Sequence, residues 1–189
     1  MGSWVPSWVV YLAVACAGML AHLRLHHALP AQARPVAGTM TMAMLGMFAG
    51  LAVDASHGRL ELLASLCGGG LPLGLLLRWH LGLLAASNAA LVLAGMLPML
   101  WQARGGAPSA CRRGLLPTLL CLGCMLAGMN LGMPLLVQAQ GLRGGSPGLP
   151  AMLAAMQAGM SWGAAAALAL LRAAARMPGL PAKAASPRS

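Results

Sequence analysis

The chain has 189 residues, 59% of them hydrophobic and 7% charged, with a mean hydropathy of +0.77. Those values fall outside the soluble globular range and predict an integral membrane protein. Twelve basic residues oppose only Asp54 and Glu61, for a net charge of +10. The arginines stand singly between apolar blocks, which excludes a nucleic-acid patch; they read as topology determinants and contacts for anionic lipid headgroups.

A helix needs roughly 20 apolar residues to cross a ~30 Å hydrocarbon core. Blocks of about that length fall near 5 to 23, 36 to 54, 60 to 77, 81 to 101, 115 to 136 and 150 to 171. The predicted fold is therefore all-α: a polytopic transmembrane helical bundle of about six spans occupying residues 1 to 172. In the first block Ala13, Val14, Ala15 and Cys16 faintly resemble a lipoprotein cleavage site. No basic residue precedes the block and the usual Leu is missing, so it is expected to remain as a span.

Between the third and fourth blocks only Arg78, Trp79 and His80 interrupt the apolar run, so six spans require a very tight hairpin there. A five-span or re-entrant reading stays open, because Gly68, Gly69, Gly70 and Pro72 loosen a helix. Residues 173 to 189, rich in Ala, Pro and Arg, read as a flexible basic cytoplasmic tail.

With six spans, the side holding both termini carries Arg59, Arg104, Arg112, Arg113, Arg172, Arg176, Lys183 and Arg188; the other carries Arg24, Arg34, Arg78 and Arg143. The excess places both termini in the cytoplasm of a bacterial inner (plasma) membrane protein. Trp4, Trp8, Trp79 and Trp101 then fall at span ends as interfacial anchors.

Fifteen methionines occur in a chain that has no isoleucine and a single phenylalanine. Met40, Met44 and Met47 share one face of the second span, Met125, Met129 and Met133 one face of the fifth, and Met152, Met156 and Met160 one face of the sixth. Alternating span directions predict that these stripes, with Met19, His22, His26 and His80, gather in the outer half of the membrane. Pairs of the form G-x-x-x-G (Gly46 and Gly50, Gly70 and Gly74, Gly128 and Gly132, Gly159 and Gly163) mark close helix contacts, or faces for a second copy or a larger membrane partner. In the fifth and sixth spans the glycines lie beside the Met stripe, so those methionines are expected to point into the bundle. Asn130 and Gln157 are expected to serve as interhelical hydrogen-bonding groups.

Thioether sulfur is a soft, uncharged donor that favours Cu(I), and imidazole suits late transition metals. Met at every fourth position offers similar weak sites about 6 Å apart along a helix, as conduction requires. The predicted copper(I) ligands are Met19, His22, His26, Met40, Met44, Met47, Met125, Met129, Met133, Met152, Met156 and Met160. The M-x-x-x-M element resembles that of eukaryotic copper-uptake transporters, where a Met pair in a pore helix accompanies G-x-x-x-G. That family is a trimer of three-span subunits with a Met-rich outer domain, so the resemblance implies a ligand chemistry and not this fold.

A packing role for the same stripes is the competing reading, since Met fills irregular gaps between close helices; it suits a non-catalytic subunit of a membrane complex. Cys121 and Cys124 form a C-x-x-C on the Met125 face, which suits a Cu(I) relay, a thiol pair or plain packing. His22 and His80 could ligate a b-type haem, although no second His pair accompanies them. Asp54, His57, Arg59 and Glu61 read as a polar loop with neutralising pairs rather than a proton-coupling carboxylate. Enzyme motifs such as a P-loop, H-E-x-x-H or G-x-S-x-G are missing, so no catalytic activity is expected.

Overall fold

The computed structural model describes residues 7–27, 35–68, 71–105, 108–141 and 148–176. Among them there are helices and no strands: α1 (Ser7–His27), α2 (Pro35–Ser56), α3 (Arg59–Gly68), α4 (Leu73–Leu83), α5 (Ala85–Gly105), α6 (Pro108–Gly141) and α7 (Leu149–Arg176). Three apolar stretches are long enough to cross a membrane: Gly38–Ser56, Gly114–Leu135 and Leu149–Ala174. A fourth forms if α4 and α5, bent by 66° at Leu84, count as one span; α1 contributes a shorter apolar stretch, Leu12–Leu25. The outside is greasy, with Leu45, Phe48, Leu93, Trp101 and Leu116 all exposed, a surface suited to lipid contact and costly in water.

The expected hairpin at Arg78, Trp79 and His80 is not there. Those residues lie inside α4, and the helix is interrupted instead at Leu71 and Pro72. The reason is local: α4 opens directly after Pro72, whose carbonyl accepts from the Leu75 and Leu76 amides at 3.0 Å each, and proline is tolerated where no helical N–H is required. Residues 60–77 are therefore not one continuous span. Of the expected aromatic anchors, Trp101 is exposed near the end of α5 and Trp79 is exposed within α4; Trp4 lies outside the described residues. Helix α7 continues to Arg176, past the expected start of the tail, and 177–189 lie outside the described residues.

Helix directions follow from the close contacts. A Cβ built on Gly46 would strike the Ala90 carbonyl, one on Gly50 would lie 2.6 Å from the Ala86 carbonyl oxygen, and one on Gly38 would sit 3.5 Å from Pro98. Rising numbers in α2 meet falling numbers in α5, so the two run antiparallel. Asn130 reaches Asn88, whereas Leu122 lies against Gly95, so α5 and α6 are antiparallel as well. Glycines 128, 132, 159 and 163 bring α6 and α7 together in the same sense: a Cβ on Gly132 would be 2.8 Å from the Gly159 Cα, and one on Gly163 would be 3.1 Å from the Met125 Cα.

This corrects the expected alternation. With six spans, α2 and α5 would be the second and fourth and would run parallel; their antiparallel packing fits α4 and α5 as one bent traverse. Of the pair Gly70 and Gly74, Gly74 meets nothing within 4 Å, and Gly70 lies outside the described residues.

One buried acid ties the helices at one end. Asp54 is 0% exposed, accepts from Arg59 Nη1 at 3.0 Å, and accepts from the Ser87 amide at 2.9 Å and the Ser87 hydroxyl at 2.6 Å. Gly58, at φ +69, lets the chain turn between α2 and α3, a conformation that glycine adopts without a Cβ penalty.

Candidate metal centre

The methionine stripes point inward. Met40, Met47, Met125, Met129, Met133, Met152, Met156 and Met160 are all buried and belong to one contiguous core together with Cys121; Met44 and Met96 pack against it. Inward orientation follows from the glycines: once α6 and α7 approach to backbone contact, the side chains one step round each helix are drawn into the seam. Cys121 Sγ lies 3.8 Å from Met125 Sδ and donates to it, and Gln157 Nε2 donates to Met44 Sδ at 3.9 Å. Thus α2, α6 and α7 all contribute sulfur to the same interior.

The heights differ from expectation. Because α2 and α6 are both antiparallel to α5, they run parallel to each other. Met40, Met44 and Met47 then accompany the part of α6 around Leu122, which shares Gly95 with Ala43. Met133 and Met152 lie toward the other end, where Gly132 faces Ala155 and Gly159. The stripes form a staggered line along the bundle and do not gather in one half.

Other expected ligands fare differently. His22 is buried, but Met19, three residues earlier, is 42% exposed. A step of three leaves side chains about 60° apart on a helix, and the edge of the packed face falls between them. The side chain of His26 lies outside the described residues. Among the described residues no three His, Cys, Asp or Glu side chains form a group able to hold a metal ion, so a site here would draw chiefly on thioethers.

Asn130 is the interhelical hydrogen-bonding group expected of it, in a polar knot at the α4–α5 bend whose partners, His80 and Asn88, the sequence did not indicate. His80 is 0% exposed and its Nδ1 lies 3.0 Å from Asn130 Oδ1. Asn130 Nδ2 donates to Asn88 Oδ1 at 2.9 Å and to the Leu126 carbonyl at 2.8 Å. One α6 side chain therefore clamps both sides of the bend. His80 Nε2 is buried with no hydrogen-bond partner, a state that ordinarily costs about 1–3 kcal/mol. The sequence signal was the i, i+8 spacing of His80 and Asn88 across a weak helix boundary, legible only once Asn130 is placed opposite.

Cys121 and Cys124 are both free thiols, the first fully buried. Comparison with protein-family models, with curated proteins and with solved structures finds no match, so the site rests on its own geometry.

Proposed function

We propose that this chain is a multi-pass protein of the bacterial inner membrane that binds Cu(I) and passes it along a line of methionine sulfurs. The observation that carries the reading is the single buried core holding eight methionines and Cys121 from α2, α6 and α7. Neutral, soft donors repeated along a helix suit Cu(I) over hard cations, and a staggered line of similar weak sites suits movement better than storage.

Antiparallel α2 and α5 support five spans: α1, α2, the bent α4–α5 pair, α6 and α7. The termini then lie on opposite sides. Arg24, Arg34, Arg104, Arg112, Arg113, Arg172, Arg176, Lys183 and Arg188 share the C-terminal side, against Arg59, Arg78 and Arg143 on the other. Nine against three is a stronger bias than six spans give, and it sets the C-terminus in the cytoplasm.

The test is a Cu(I) competition titration of the purified protein in detergent against a chromophoric chelator. Wild type should retain copper, and Met129, Met133, Met156 and Met160 changed together to Leu should weaken it by at least about tenfold, roughly 1.4 kcal/mol. Met and Leu have similar volumes, so each swap should cost under about 1.5 kcal/mol of stability. The competing reading, packing within a structural subunit, draws on the backbone contact between Gly128 and Gly159. It predicts no copper in either form.

A further inference from the structure

We infer that His80 supplies a nitrogen ligand to the Cu(I) path through Nε2, with Asn130 as the residue that positions the ring; this rests on the soft-metal reading above. Asn130 has only one workable orientation. Its Nδ2 faces the Leu126 carbonyl at 2.8 Å and Asn88 Oδ1 at 2.9 Å. Turning the amide end for end would press Oδ1 against the Leu126 carbonyl, two acceptors with no hydrogen between them. Oδ1 therefore faces His80, and Nδ1 must carry the proton that it donates across 3.0 Å. A neutral imidazole protonated at Nδ1 presents a bare lone pair at Nε2.

That lone pair is buried and unpartnered, whereas buried acceptors in native proteins are normally satisfied. Its surroundings favour a soft cation as the occupant. Metal-bound imidazoles typically donate their other ring nitrogen to a fixed acceptor, which sets both tautomer and ring direction, and Asn130 is such an acceptor. Asn130 lies between Met129 and Met133 in sequence, 60° to 100° round α6 from them, and both of those methionines belong to the buried core. His80 itself shares the buried face of α4 with Leu76, a member of that core. Imidazole and thioether are both neutral, so a bound ion keeps its whole charge. The cost of burying charge rises with its square, which selects a monovalent ion such as Cu(I) over a divalent one.

The test is nitrogen NMR of the full-length protein, labelled with 15N-histidine, in detergent micelles with and without Cu(I), alongside the competition titration. The His80 signals are assigned from the spectrum of His80→Gln or, should that variant misfold, from one with His22, His26, His27 and His57 changed to Gln. Without metal, His80 should show a protonated Nδ1 and a bare Nε2; Cu(I) should shift the Nε2 resonance. Asn130→Leu should weaken Cu(I) by roughly 10- to 100-fold, whereas Asn130→Asp, which keeps the acceptor, should retain the shift. Copper held in the titration with an unmoved Nε2 signal overturns the role of His80 and leaves the sulfur path standing. A proton on Nε2 in the metal-free protein overturns the positioning by Asn130. Absence of bound copper overturns both proposals together.

Discussion

Replacing Gly159 by Ala tests whether the α6–α7 seam sets the methionine core. A Cβ at Gly159 would run into the Gly128 carbonyl, with its carbon 2.8 Å away and the Gly132 Cα 3.2 Å away. All three atoms are backbone, so no rotamer change relieves the clash and the helices must separate. Overpacking of this kind costs about 1–3 kcal/mol, whereas alanine in place of glycine gains about 0.5–1 kcal/mol of helix stability. With an unyielding backbone the balance is a loss of about 2 kcal/mol, or about 4–8 °C in Tm at 2–4 °C per kcal/mol for a chain of this size. Gly123 is the internal control, since it lies on α6 with nothing within 4 Å, and its change to Ala should raise Tm by about 1–4 °C. The assay is thermal unfolding in detergent followed by fluorescence-detected size exclusion. Shifts of the same sign and size for Gly159→Ala and Gly123→Ala would refute the close seam and, with it, the reason the methionines face inward.

Asp54→Ala should destabilise the bundle by about 2–3 kcal/mol, below the full loss for a buried ion pair because Arg59 is 38% exposed and can be solvated. Asp54→Asn, which keeps an acceptor for Ser87, should lose less, and the two are compared in the same unfolding assay. In a single-cysteine variant that keeps Cys121, N-ethylmaleimide should label only after SDS denaturation, since that thiol is fully buried; rapid native labelling, read by mass spectrometry, would contradict the packed core.

Much of the metal candidate was legible from spacing. Met125, Met129 and Met133 recur every fourth residue, and Gly128 and Gly132 lie beside them, so a helix that packs on its glycines must turn its sulfurs inward. Met19 shows the limit of that logic: about 60° round α1 from buried His22, it is exposed, and no local rule marks where the packed face ends. The Asp54 pairing with Arg59 was readable as a neutralised loop, but its acceptance of two hydrogen bonds from Ser87, 33 positions on, was not.

Composition and apolar run length by themselves determined that the described residues are helical, with stretches long and apolar enough to cross a membrane, because every backbone polar group must be satisfied within a helix where no water is available. Direction, height and pairing belonged to the tertiary structure. Whether α4 and α5 count as one bent stretch or two depends on the bend at Leu84, where Asn130 of another helix bonds to both sides. The methionines therefore line up along the bundle, and do not meet at one end, because α2 and α6 both pack against α5.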